Sequence, residues 1–202
     1  MALTGLLLLV FLIEHLYGNL KLLEDPTGRS FDAYVEHLQS YGFLLVGAEI
    51  VLALLFLCHI FLGLRLTMEN MQARNQGYVV RSSKGGSTIG SLSMAFTGCI
   101  LLAYLVKHLL DFRLRSGFLE SPAGIVNETL GQATNATVYL LASAAIGLHL
   151  SHGATSALQT LGVNHVKWNS LLRIAGLGVA FLLALGFAAI PLVLLLRSGG
   201  AR

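Results

Sequence analysis

The chain has 202 residues, of which 55% are hydrophobic and only 11% are charged, and its mean hydropathy is +0.74. Soluble domains average about 25% charged residues, so this composition excludes a soluble globular protein and indicates an integral membrane protein. The formal net charge of +3 therefore reports membrane topology rather than nucleic-acid binding. Cys58 and Cys99 each lie within an apolar segment and form no CxxC pair, which excludes a disulfide framework.

Five apolar segments are long enough to cross a bilayer, so the sequence predicts an all-α membrane protein. The first span lacks the basic n-region and the A-x-A site of a signal peptide, so we expect it to be retained. Residues 24–40 are polar with apolar positions at helical spacing, which predicts a short interfacial helix. Pro191 is expected to kink the last span. The five predicted spans cover residues 3–23, 42–67, 88–112, 136–159 and 171–196.

The basic residues of the connections predict the orientation of the chain in the membrane. The second connection carries Arg74, Arg81 and Lys84, and the fourth carries Lys167. Lysine and arginine are enriched in cytoplasmic loops, so both connections are placed in the cytoplasm. The N-terminus then lies in the cytoplasm and the C-terminus outside, and residues 1–202 form a single integral-membrane domain.

Each of the first four spans carries a histidine, and an imidazole in hydrocarbon is costly unless it has a partner. Helices rise about 1.5 Å per residue through a hydrocarbon core of about 30 Å, which gives each histidine an approximate depth. His15 and His108 fall near the outer face, whereas His59 and His149 fall near the inner face. The depths therefore predict an outer pair, His15 with His108, and an inner pair, His59 with His149.

Two imidazoles that face each other between helices suit the iron of a planar haem. A bare zinc or copper ion would need three or four donors at one depth. Gly18, Gly63 and Gly153 each follow a histidine by three or four residues, where a missing side chain makes room for a porphyrin. The same glycines also suit close packing of helices, and a single histidine can equally be a structural residue. His152 follows His149 by three residues, and we expect it to bond a propionate or to orient a ligand.

Four segments together resemble the dihaem cytochrome b membrane anchor of succinate dehydrogenase and fumarate reductase, in its single-subunit, five-helix form. They are FLIEHLYGN at 11–19, LFLCHIFLG at 55–63, LVKHLLDFR at 105–113 and LHLSHGATSALQTLG at 148–162. The resemblance covers nearly the whole chain, and its last segment is the most specific. It implies that the first four spans form a dihaem bundle, with one axial ligand from each: His15, His59, His108 and His149. Some fumarate-reducing members carry a glutamate where this chain has Gly147.

The resemblance also implies cofactors and partners. The chain would be a non-catalytic electron-transfer subunit in the bacterial inner membrane, with two haem b groups and a quinone as substrate, menaquinone in preference to ubiquinone. The sequence does not locate the quinone site. FAD and iron–sulfur clusters would belong only to the partners, a flavoprotein and an iron–sulfur subunit docked on the cytoplasmic face. Membrane lipid is the other expected partner, and no nucleic acid is expected.

Two other functions fit a histidine-bearing membrane protein of this size. The first is the cytochrome b subunit of another quinone-linked dehydrogenase, such as a hydrogenase or formate dehydrogenase anchor, with different helix number and ligand placement. The second is a haem or small-solute transporter. A transporter is expected to show inverted repeats or broken helices, and a haem handler a tryptophan-rich outer loop. Trp168 is the only tryptophan, and it lies in a predicted inner connection.

Overall fold

The computed structural model describes residues 1–72 and 89–199 of the chain. Within these ranges the chain is all-α and has no strand, which confirms the predicted fold class. The predicted residues Arg74, Arg81 and Lys84, and the first residue of the third predicted span, lie outside the described ranges. The helices are α1 (Ala2–Glu24), α2 (Arg29–Gln39), α3 (Phe43–Gln72), α4 (Ile89–His108), a π-helical turn (Leu109–Arg113), α5 (Pro122–Leu130), α6 (Ala133–Thr160) and α7 (Asn169–Gly199).

Five helices are long and apolar enough to cross a membrane: α1, α3, α4 with its π-helical turn, α6 and α7. The protein is therefore a multi-pass membrane protein. These helices extend the predicted spans by a few residues, since α3 runs on to Gln72 and α6 begins at Ala133. Helix α7 continues through Pro191, and that residue is fully buried.

The short helix α2 lies where the sequence predicts an interfacial helix. It begins after Gly28, whose φ of 82° is a left-handed conformation that favours glycine. The preceding turn is closed by Asp25, which accepts hydrogen bonds from the backbone N–H and the hydroxyl of Thr27, and these bonds lower the pKa of Asp25. Asp32 of α2 then accepts a hydrogen bond of 2.8 Å from the N–H of Ala123 in the first turn of α5. A helix N-terminus has unpaired N–H groups, so this contact joins the two short helices.

Helix α5 is the element that the sequence prediction missed, since it lies between the third and fourth predicted spans, where no helix was predicted. Helix α5 begins with Pro122, and proline suits the first turn of a helix. Its apolar residues are buried in a cluster at the end of the bundle that carries α2 and α5, which we call the capped end. That cluster is the main apolar core of the described chain: Leu22, Phe31, Phe112, Ala123, Val126, Leu130, Tyr139, Ile190 and Leu194.

The opposite end of the bundle, the open end, contains the start of α1, the end of α3 and the connection at 161–168. Helix α6 lies at the centre, where it packs against α1, α4 and α7. Glycine permits its closest approach to α7, because a Cβ atom at Gly147 would lie only 2.9 Å from Cβ of Ala184. Helix α3 is peripheral: it packs on α1 and α4, and none of its residues is buried.

Gly147→Leu is expected to lower the free energy of unfolding by about 1–3 kcal/mol, because the inserted side chain forces α6 and α7 apart. Thermal unfolding of the chain in detergent measures this loss. Gly178→Leu is the matched control, because Gly178 also lies in a spanning helix but has no atom within 4 Å of its ideal Cβ position. An equal loss in both variants would contradict the packing described for Gly147.

Candidate functional site

The four histidines of the spanning helices meet as two pairs. The rings of His15 and His108 join α1 to α4, with centroids 5.7 Å apart and planes at 84°. The rings of His59 and His149 join α3 to α6, with centroids 6.4 Å apart and planes at 69°. All four residues are half-buried. The structure thus brings together the same two pairs that the depth estimate predicts.

The two pairs lie at different levels of the bundle. Thr4 and Thr97 lie beside the rings of His59 and His149, with Oγ1–Nδ1 distances of 3.2 Å and 3.1 Å respectively. His15 follows Thr4 by eleven residues on α1, and His108 follows Thr97 by eleven residues on α4. At a rise of about 1.5 Å per residue, both helices separate the pairs by about 16 Å. We call His59 and His149 the open-end pair, and His15 and His108 the capped-end pair.

The spacing within each pair suits two axial ligands of one metal ion. An imidazole nitrogen binds a metal at about 2 Å, so the ring centroids of two trans ligands are about 6 Å apart. The observed distances of 5.7 Å and 6.4 Å bracket this value. Among the described residues, no group of three or more His, Cys, Asp or Glu side chains converges on one point. Each site supplies two donors, and a planar macrocycle would supply the other four ligands of a six-coordinate metal. The residues therefore fit haem better than a bare ion.

Two further features are consistent with a group held between the helices. Nδ1 of His108 is buried and has no hydrogen-bond partner in the described structure. A buried polar atom without a partner is uncommon in native proteins and calls for an explanation. The face of α3 that carries His59 is also only half-buried, and no residue of this helix is fully buried.

Aromatic rings surround the capped-end pair. Phe11 stacks on His15 at 5.2 Å between centroids, and Phe187 lies 6.0 Å from it. Phe112 lies 5.3 Å from the ring of His108. Tyr104 and Tyr139 complete the shell, at 5.7 Å and 6.1 Å from His108. Apolar rings of this kind exclude water and provide wide flat surfaces, as a macrocycle requires.

A polar network borders the capped-end pair, where α4 ends in the π-helical turn. The carboxylate of Asp111 accepts hydrogen bonds from the ammonium of Lys107 at 2.8 Å and 3.0 Å, and from the hydroxyl of Tyr139 at 2.8 Å. The turn is closed by the N–H of Leu114, which donates to the carbonyl of Leu109. Single π-helical turns are frequent at functional sites. The predictions did not include this network, although Lys107 and Asp111 stand at the i, i+4 spacing that favours such a contact.

The predicted glycines have different surroundings from one another. A Cβ atom at Gly18 would lie 2.5 Å from the ring of Tyr34, so this notch is filled by α2. Burial there raises the pKa of the Tyr34 phenol. At Gly63 a Cβ atom would lie 3.5 Å from Cε of Met1, and at Gly153 it would meet no atom within 4 Å. Gly18 therefore serves the close packing that the sequence left as an alternative, and space remains beside Gly153.

Two glycines that the predictions omitted lie beside the open-end pair. An ideal Cβ atom at Gly5 would lie 3.4 Å from Cε1 of His59, and one at Gly98 would lie 3.7 Å from Cε1 of His149. Each glycine belongs to the helix opposite the histidine, whereas the sequence argument considered only the histidine's own helix. His152 is half-buried, and its Cβ lies 3.1 Å from an ideal Cβ position at Gly90 of α4.

The acidic residues of the spans are not part of either pair. Glu49 of α3 accepts two hydrogen bonds from the guanidinium of Arg113, at 2.8 Å and 2.9 Å, and this pair ties α3 to the π-helical turn. Glu14 is exposed on α1. The described surface pockets also lie elsewhere, one at the connection containing His165 and Trp168 and one beside Asp32.

Comparison with models of protein families, with curated proteins and with solved structures finds no match to this chain. What the protein does therefore has to follow from its own residues, above all from the two histidine pairs.

Tyr139→Phe is expected to lower the free energy of unfolding by about 1.5–3 kcal/mol, because it removes a hydrogen bond to the Asp111 carboxylate. Chemical or thermal unfolding in detergent measures the change. Tyr104→Phe is the matched control: its ring lies 5.1 Å from that of Tyr139, and its hydroxyl makes no hydrogen bond in the described ranges. If the two variants unfolded alike, the network would not stabilise this end of the bundle.

Proposed function

We propose that the chain is the haem b-containing membrane anchor of a succinate:quinone oxidoreductase or quinol:fumarate reductase, which transfers electrons between an iron–sulfur subunit and membrane quinone. The observation that carries this proposal is the pair of histidine sites, about 16 Å apart along one helix bundle by the rise per residue. Each site joins helices that are not consecutive in the chain, as a bundle that encloses a ligand requires. Haem, when bound, supplies one-electron redox chemistry.

The chain's own residues would hold and separate two such groups. His15 and His108 would ligate one, and His59 and His149 the other, so that one lies towards each end of the bundle. The aromatic shell of the capped-end pair would exclude water from its site. In a protein of this kind the cofactor supplies the redox chemistry, and the protein supplies binding, orientation and electrostatics.

In this proposal the open end faces the cytoplasm of a bacterium, so the N-terminus is cytoplasmic. Helix α3 ends and α4 begins at the open end, and the sequence between these two helices carries Arg74, Arg81 and Lys84. Short basic connections favour the cytoplasmic side. Four basic residues of the capped end are paired with acids: Lys21 with Glu24, Lys107 with Asp111, Arg113 with Glu49 and Arg115 with Glu128.

The open end also offers a surface for the proposed partners, the flavoprotein with its FAD and the iron–sulfur subunit. The connection at 161–168 exposes apolar side chains there, with Val166 95% exposed and Trp168 52% exposed. Aromatic and apolar groups are enriched at the centres of protein interfaces. A partner docked on this end would be closer to the open-end pair than to the capped-end pair. Quinone, with menaquinone proposed, would enter from the lipid.

The full chain is expected to contain two low-spin haem b groups, measured by the pyridine haemochrome assay against protein concentration. His149→Ala should remove only one, because His149 is one of the two residues that would hold that group. His152→Ala is the matched control on the same helix and should keep both. A single haem in the unaltered chain, or loss of haem from His152→Ala but not from His149→Ala, would contradict the assignment.

A tagged chain is expected to copurify with a flavoprotein and an iron–sulfur protein, identified by mass spectrometry, with untagged membranes as the control. Added succinate should reduce the haem of this complex, and fumarate should reoxidise it, because the proposed partners couple these substrates to the anchor. A stable complex without a flavoprotein, or haem that neither substrate affects, would favour the anchor of another quinone-linked dehydrogenase.

A further inference from the structure

We propose that Thr4 and Thr97 are positioning residues of the open-end site, and that each fixes the histidine tautomer whose Nε2 is free to bind a metal. The neighbouring glycine, Gly5 or Gly98, leaves the space in which that ring sits. The inference rests on the proposed function, because it assigns these residues to one of the two haem sites. It concerns a Thr-Gly pair that two of the spanning helices carry, one on α1 and one on α4.

The direction of each hydrogen bond follows from counting protons. A threonine hydroxyl has one proton and two lone pairs. Thr4 donates its proton to the carbonyl of Met1 at 2.9 Å, and Thr97 donates its own to the carbonyl of Ser93 at 2.9 Å. With its proton on that carbonyl, each hydroxyl oxygen accepts a hydrogen bond from the imidazole nitrogen beside it. Nδ1 of His59 and of His149 must then carry the ring proton, which leaves the lone pair on Nε2.

This arrangement is the one that metal-binding histidines use. A ligating histidine almost always donates its second ring N–H to a protein acceptor, which orients the ring and raises the basicity of the ligand. Thr97 is only 2% exposed, so water does not compete for this contact. No hydrogen bond occupies Nε2 of His59 or His149 within the described chain. In both rings of the open-end pair, Nδ1 is thus held by a threonine and Nε2 has no hydrogen-bond partner among the described residues.

The glycine of each motif faces the same ring that its threonine holds. Ideal Cβ atoms at Gly5 and Gly98 lie 3.4 Å and 3.7 Å from Cε1 of His59 and His149. A longer side chain at either position would press on the ring that the threonine orients. Each motif also stands eleven residues before a capped-end histidine, in the pattern T-G-x9-H. Eleven residues are about three helical turns, so one face of α1 and one face of α4 serve both sites.

The capped-end pair is constructed differently. Nδ1 of His108 has no partner among the described residues, and the amide nitrogen of Asn19 lies 3.4 Å from Nε2 of His15. The contribution of the threonines is therefore confined to the open-end site.

Removal of the threonine that accepts from Nδ1 of an open-end histidine lowers the basicity of that ligand. This loss destabilises ferric relative to ferrous haem and raises the midpoint potential.

The test is a redox titration of the full chain purified from membranes, followed by haem absorbance and by the low-spin electron paramagnetic resonance signals. In Thr97→Val we expect a higher midpoint potential for the component that His149→Ala removes, and retention of that haem weakened about tenfold. The other component should not change. Thr4→Val should affect the same component, and Thr97→Ser should restore the original potential, because serine keeps the hydroxyl.

The matched control is Thr155→Val, since Thr155 is a buried threonine of α6 whose hydroxyl has no partner in the described structure. It should leave both components unchanged. If the unaltered chain binds no haem, the proposed function fails and this inference fails with it. If two haems bind but Thr97→Val and Thr4→Val leave both potentials and both occupancies unchanged, only this inference fails. Loss of both haems in Thr97→Val that Thr97→Ser does not reverse would also contradict it.

Discussion

The structure depends on one constraint: an imidazole among lipid-facing helices must find its polar partners within the protein. The four imidazoles of the spanning helices lie in two ring pairs, and each pair connects two helices that are separated in sequence. For the open-end pair, the ring protons go to threonine hydroxyls from the opposite helices. The relative rotation of α1, α3, α4 and α6 is tied to these contacts, because a rotated helix would remove a histidine or a threonine from its partner.

The two ends of the bundle stabilise the protein in different ways. The capped end contains the largest apolar cluster and most of the ion pairs, and it adds α2 and α5 to the ends of the spanning helices. At the open end, the connection at 161–168 exposes Val166 and Trp168. The capped end is thus covered by α2 and α5, whereas the open end leaves apolar side chains uncovered. This difference supports the proposal that partners bind at the open end.

Small residues have two separate uses in this bundle. Gly147 allows α6 to lie directly against α7, and Gly18 accommodates the ring of Tyr34, so both serve helix packing. Gly5 and Gly98 instead lie beside imidazole rings and are paired with the threonines that hold those rings. The distinction depends on what lies across the helix interface, and spacing along a single helix does not reveal it.

The sequence by itself determined the fold class, the five spanning segments, the helix between the first two spans and which histidines lie together as pairs. These follow from hydrophobic length and from a fixed rise per residue, which are properties of one segment at a time. Only the tertiary structure decided that 122–130 is helical, that Tyr34 fills the notch at Gly18, and that Thr4 and Thr97 hold the imidazoles. Those outcomes depend on the rotation and spacing of neighbouring helices, which many weak packing contacts set together and no single segment encodes.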